Sequence, residues 1–214
     1  MNRPASRGAR SCSVDAVWHV EVRFAHAACH QDNQCTTHLT VDNPTASPVS
    51  VHFRAAQSLD GAALWRLAQA TGTLEVNSAY FYLLFATDFA RTCLIAEHEG
   101  RLVGMVIGYQ PPSEPRTAFV WQVGVLPEHQ GQGLGLRLLQ HWLDLPALTA
   151  CEFVTATVAN DNPASQALFR RLARSHGVAC EERPHFTADM FPHEHPPEPL
   201  FRVGPIPRGA LMPP

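Results

Sequence analysis

The stretch Gln130-Gly131-Gln132-Gly133-Leu134-Gly135 has the residue types and spacing that imply chemistry most directly. It follows an apolar run from Thr117 to Leu126, with Val123-Gly124-Val125 near its end, and precedes an amphipathic run from Leu136 to Leu143. β-type residues, then glycines, then helical spacing describe a strand, a tight turn and a helix. The first-turn N–H groups of such a helix have no backbone partner. Glycines let a phosphate approach them, and the helix dipole favours an anion there. The turn therefore reads as a pyrophosphate site. A P-loop requires a lysine after its last glycine, and this chain of 214 residues contains no lysine. A dinucleotide fingerprint requires glycine at its first, third and sixth positions. Counted from Gly131 the sixth position is Leu136, and counted from Gly133 it is Leu138.

Further candidates for acid–base work are carboxylates and phenols. Glu75 precedes the run Asn77-Ser78-Ala79-Tyr80-Phe81-Tyr82, and Glu194 and Glu198 lie in His193-Glu194-His195-Pro-Pro-Glu198. Trp121 lies two residues before Val123, in a strand where an aromatic is usually core. His193 and His195 have no third ligand at useful spacing, HExxH is absent, and the six cysteines form no CxxC pair, so no metal is expected. Cys93 and Cys151 sit in apolar runs and read as reduced buried thiols. No cysteine lies near the glycine turn, which disfavours a covalent thiol route.

These residues need elements to position them. Val51 to Arg54 reads as a short strand. Ser58 or Asp60 can cap a helix carrying Leu64, Trp65, Leu67 and Ala68 that Gly72 stops. Ser78 caps a second helix, and Thr92–Glu97 with Arg101–Tyr109 makes a hairpin around Glu99-Gly100. After the glycine-rich helix, Cys151–Val158 is a near-continuous apolar strand. Asn160-Asp-Asn-Pro163 ends it, Ser165–Leu172 is another helix, and Leu200–Val203 a final short strand. Helix, helix, meander, crossover helix, strand, helix, strand is an α/β arrangement with the glycine turn at its centre. Residues 1–48 show no sustained period and read as a disordered arm. Residues 49–206 form one domain, and 207–214 a tail.

Composition sets the class. A chain that is 45% hydrophobic with net charge −3 suits a soluble globule, with neither nucleic acid nor an anionic membrane as main partner. All 16 basic residues are arginine, which removes Schiff-base lysine chemistry. The longest apolar run near the middle, Ala79–Ala86, is too short to span a bilayer. Asp15 and His19 interrupt what a signal core would need, so a reducing cytoplasm is the expected location.

Gln-x-x-Gly-x-Gly after a Val-x-Val strand resembles the acetyl-CoA-binding motif of the GNAT N-acetyltransferase superfamily. That resemblance implies the GNAT fold, a mixed central sheet whose two parallel strands splay, flanked by helices. Acetyl-CoA would enter the gap as co-substrate. The backbone from Val123 through Gly124 to Val125 would pair with the pantetheine, and one of its N–H groups would receive the oxyanion. Trp121 would border it, Gln130 to Gly135 would hold the pyrophosphate, and Asn162, Ser165 and Phe169 would line the pantetheine arm. Many members carry a tyrosine acid at the position of Phe169, which leaves Tyr80, Tyr82 or water to protonate the thiolate.

Three stretches narrow the resemblance: Asn77 to Leu84, Phe119 to Val123, and Leu200 to Pro205. Together they resemble the L-2,4-diaminobutyrate acetyltransferases of ectoine biosynthesis, from about Val51 to Ile206. The implied reaction moves an acetyl group to the 4-amino group of a small diamine, and a homodimer is expected. Glu75, Tyr80, Glu194 and Glu198 are the candidate catalytic groups. With Asn77, Trp121 and His193, they are also the candidate acceptor-binding residues. No cation in the sequence presents itself as the partner of the substrate carboxylate. Two alternatives stay open: an acetyltransferase of another diamine or polyamine, and a non-catalytic acyl-CoA-binding module, which Phe169 keeps alive.

Overall fold

The computed structural model describes residues 50–207. The arm 1–48, with Cys12, Cys29, Cys35 and four of the histidines, lies outside the described residues, as does nearly all of the tail. Seven strands form one sheet in the order β1-β2-β3-β4-β5-β7-β6. They are β1 His52–Ala55, β2 Cys93–His98, β3 Arg101–Tyr109, β4 Thr117–Val125, β5 Phe153–Thr157, β6 Cys180–Phe186 and β7 Glu198–Val203. Four helices flank it: α1 Gly61–Thr71, α2 Ala79–Thr87, α3 Leu134–Leu143 and α4 Pro163–His176.

Local chemistry accounts for most boundaries. Gly72 ends α1 in the left-handed conformation, and the Ser78 hydroxyl accepts from the Phe81 N–H at 3.2 Å to open α2. Glu99 and Gly100, both at positive φ, make the two-residue turn of the β2–β3 hairpin. Asp60 does not cap α1. Its carboxylate instead accepts from Gln57 N–H at 2.7 Å and from both terminal nitrogens of Arg54, which also reaches Glu97. Strand β6 has no expectation in the sequence. It is an edge strand whose residues are exposed from Glu181 to Phe186, so it shows no apolar alternation, and it tolerates Pro184.

Two features of the sheet build the site. β4 and β5 are the one parallel pair, and their ladder holds three residue pairs, ending at Phe119 and Thr155. Beyond them the strands part, as the splayed arrangement requires, and β4 from Val120 to Val125 presents an unpaired edge to the gap. The second feature is a bulge at Trp121, where Ile107 faces Gln122 and Gly108 faces Val120. The extra residue lets Trp121 and Gln122 both reach the α2 side. The indole packs on Phe81 and Phe85, and the Gln122 amide meets Tyr82.

Candidate active site

The glycine turn sits at the C-terminal end of β4, and its geometry needs glycine. Gly131 and Gly133 have φ of +72° and +76°, where a side chain is strained although a Cβ would meet nothing within 4 Å. The Gln130 amide donates to the Val125 carbonyl at 2.9 Å, tying the turn to the end of the strand. Gln132 donates to the Glu128 carbonyl at 3.1 Å. No side chain caps α3, so its first-turn N–H groups face a cleft of about 250 Å³. Val125, Gln130, Gly131, Gly133, Leu134 and Gly135 all line that cleft.

The opposite wall comes from α4, through Ala164, Ala167, Leu168 and Arg171. The sequence reading missed these residues, yet their spacing of three, four and seven is that of one helix face. Small residues bring the backbone of α4 close to the cleft, and Arg171 sets a fixed positive charge beside the N-terminus of α3. Asn162 and Ser165, both buried, act together at the start of α4, where the Asn162 carbonyl oxygen accepts from the Ser165 N–H at 3.1 Å. Phe169 is fully buried against Phe201.

The surroundings fit a long, flexible acyl carrier with a charged end. The uncapped N-terminus of α3 is suited to an anion, and an open strand edge runs from it along β4. Three buried polar atoms around the gap lack a hydrogen-bond partner: Trp121 Nε1, Thr157 Oγ1 at the end of β5, and Asn162 Nδ2. Buried donors and acceptors are normally satisfied, so orphans flanking a gap mark a place where a polar ligand fits.

A second cavity, of about 610 Å³, lies at the other end of this strand. Its apolar side is Tyr109, Phe119 and Trp121, and β7 contributes Glu198 and Leu200. Glu198 is 2% exposed, and His195 Nε2 stands 3.9 Å from its Oε1. Phe186 at the end of β6, with Met190 and Phe191 after it, closes the far side. Trp121 and Glu198, far apart in the chain, thus meet in one cavity.

The other candidates stand elsewhere. The Glu75 carbonyl accepts from the Gln122 amide at 2.8 Å, and the Tyr82 hydroxyl, which donates to Gln122, also accepts from the Asn77 N–H. This network fixes the α1–α2 loop against β4 behind Trp121. Burial pushes the Tyr82 phenol above its ordinary value, with an addition from the Glu75 charge, so Tyr82 stays a neutral donor. Tyr80 is 70% exposed on α2, and His193 and Glu194 are exposed on the segment before β7. None of Glu75, Asn77, Tyr80, His193 and Glu194 lines either cavity. The Cys93 thiol is buried and pushed up to about 12, which leaves it protonated and inert. No group of three or more metal-ligating side chains occurs among the described residues.

Comparison with known proteins agrees with this architecture. The acetyltransferase (GNAT) family model matches residues 62–173. An L-2,4-diaminobutyric acid acetyltransferase from Nocardia farcinica is 41% identical over 184 residues, covering 78% of this chain and 95% of that relative. Another, from Halalkalibacterium halodurans, is 42% identical over 148 residues, covering 69% of this chain and 78% of its own. Among solved structures, the diaminobutyrate acetyltransferase of Paenibacillus lautus, in complex with its substrate L-2,4-diaminobutyric acid and coenzyme A, is similar. It aligns with a TM-score of 0.70 at 36% identity, over 75% of this chain and 98% of that one.

Proposed function

Because the chain belongs to the GNAT acetyltransferase family, alongside the L-2,4-diaminobutyric acid acetyltransferases, we propose that its two cavities hold the two substrates of one transfer. The protein is an acetyl-CoA-dependent N-acetyltransferase of L-2,4-diaminobutyrate. One observation carries the geometry: β4 floors both cavities, with Val125 in the glycine-turn cleft and Trp121 in the acceptor cavity. Four residue steps along the strand separate them, about 13 Å. A carrier anchored by its pyrophosphate at Gln130–Gly135 runs along the open edge of β4 toward Trp121.

Acetyl-CoA supplies the thioester carbonyl that the amine attacks. The chain's own groups do the rest. Glu198 holds an ammonium group of the acceptor, and a carboxylate, directly or through water, takes the proton that the attacking amine must lose. The unpaired N–H groups between Val123 and Val125 receive the charge that develops on the carbonyl oxygen. Asn162 and Ser165 shape the start of α4 beside the carrier arm, and Phe169 packs behind them. With phenylalanine there, water returns a proton to the leaving thiolate, since Tyr80 is exposed on α2 outside both cavities. Glu75 and Asn77 hold the α1–α2 loop against β4 behind Trp121, through Gln122 and Tyr82, and His193 and Glu194 stand outside the cavity on the segment before β7. Holding both substrates on one strand supplies most of the rate.

The product is N4-acetyl-L-2,4-diaminobutyrate, an intermediate of ectoine biosynthesis. The domain spans 49–206 between an N-terminal arm and a short tail. The protein is cytoplasmic, in keeping with Cys93, Cys151 and Cys180, none of which is in a disulfide among the described residues. It is a homodimer, in keeping with the exposed edge strand β6, which ends at the exposed Phe186, and the exposed Met190 beyond it. The experiment is thiol release from acetyl-CoA with L-2,4-diaminobutyrate, ornithine, lysine or spermidine, beside a no-amine control. Turnover confined to diaminobutyrate, with product acetylated at the 4-amino group, is the expected result. Tight acetyl-CoA binding with no turnover on any amine would instead mark a binding module.

A further inference from the structure

Diaminobutyrate carries a carboxylate as well as two ammonium groups, and none of the residues assigned above answers it. The acceptor cavity contains a cation that does: Arg183, in the middle of β6. Its arginine neighbours are committed elsewhere. Arg202 donates to Glu114 at 3.2 Å and lies over the Phe153 ring, Arg116 pairs with Glu152, and Arg170 pairs with Glu182 at 3.0 Å. Arg183 has no such hydrogen bond or ion pair among the described residues.

Its position suits the task. The ladder sets Arg183 opposite Leu200, and Leu200 and Glu198 are alternate residues of β7. All three line the same cavity. A bulge interrupts the ladder between Arg183 and Phe186, the residue opposite Glu198, so the two charges stand on neighbouring strands facing one cavity. The carboxylate carbon and the 4-nitrogen of the acceptor are four single bonds apart, roughly 5 Å when extended. A substrate of that length fits between a long flexible guanidinium and the Glu198 carboxylate, each end meeting the opposite charge.

We propose that Arg183 anchors the α-carboxylate of the acceptor and thereby selects an amino acid over a plain diamine. The inference rests on the acetyltransferase reading above. The guanidinium fork matches a carboxylate through two parallel N–H···O bonds, which an ammonium cannot reproduce. A diamine lacking the carboxylate leaves Arg183 unpaired at the cavity wall and gains nothing from it. A polyamine would in addition bring positive charge toward it. Because the carboxylate lies away from the reacting nitrogen, the contact is made equally in the ground and transition states, and its loss appears in KM.

The test compares L-2,4-diaminobutyrate with 1,3-diaminopropane, the same molecule without its carboxylate, in the full-length wild type, Arg183→Gln and Arg183→Lys. The wild type should prefer diaminobutyrate. Arg183→Gln should raise KM for diaminobutyrate about 10- to 100-fold, the scale of one charge-assisted interaction, with kcat little changed. Its kinetics on 1,3-diaminopropane should match those of the wild type, and Arg183→Lys should recover part of the loss. Equal losses on both substrates would mean general damage to the cavity and overturn the assignment, as would an unchanged KM for diaminobutyrate. A wild type that binds acetyl-CoA yet turns over neither amine defeats the acetyltransferase reading itself, and the anchor with it.

Discussion

Glu198→Gln keeps the shape of the side chain and removes its charge from a site that is 2% exposed. If this carboxylate holds or deprotonates an ammonium of the acceptor, the variant loses a charge-assisted hydrogen bond worth about 1.5–3 kcal/mol. At 1.36 kcal/mol per decade, that predicts a fall in kcat/KM of about 10- to 150-fold. Stability should respond differently. A buried carboxylate is costly to keep, so its amide should hold the melting temperature within about 4 °C of wild type or raise it. The assay is steady-state thiol release at saturating acetyl-CoA with the amine varied, beside a thermal melt. Both diaminobutyrate and 1,3-diaminopropane should suffer, since each presents an ammonium, which separates this variant from Arg183→Gln. A variant within about threefold of wild type on both amines, with an intact melt, would refute the placement of the acceptor in this cavity.

Two other perturbations probe the frame. Gly133→Ala forces a side chain onto a backbone at φ +76° with open space around it, so the penalty of about 1–2 kcal/mol is one of backbone conformation. It should lower the melting temperature and raise KM for acetyl-CoA without changing KM for the amine, and Gly133→Asn should do less on both counts. At the β1–α1 junction, hydrogen bonds from Arg54 hold the Asp60 carboxyl below its ordinary value. A depressed folded value means the stabilisation is present above the unfolded value of about 3.9 and is lost as pH falls below it. Asp60→Asn should therefore destabilise the protein by about 2 kcal/mol at neutral pH and flatten the loss of stability below about pH 4, measured by urea unfolding across pH.

Much of this protein is local and therefore readable along the chain. Gly131 and Gly133 need positive φ, Ser78 and Asn162 cap the helices that follow them, and Glu99-Gly100 makes a two-residue hairpin turn. Each depends on a few neighbouring residues, so composition and spacing reveal it. The face of α4 that carries Ala164, Ala167, Leu168 and Arg171 follows a helical period, but nothing in that period marks it as facing a ligand, and it was missed. Strand β6 was not legible either, because an exposed edge strand has no buried face to impose alternation on Glu181 to Phe186.

The acceptor cavity belongs to the tertiary structure alone. Trp121 on β4, Arg183 on β6 and Glu198 on β7 are brought together by a sheet order in which β7 lies between β5 and β6. A bulge at Trp121 turns the indole and Gln122 to one side, against the simple alternation that sequence predicts. The glycine turn, proposed as the nucleotide end of the reaction, was readable from sequence, because helix N-termini and glycine backbones act through their own few residues. The proposed acceptor site was decided by non-local pairing, since its two charges, Arg183 and Glu198, come from different strands.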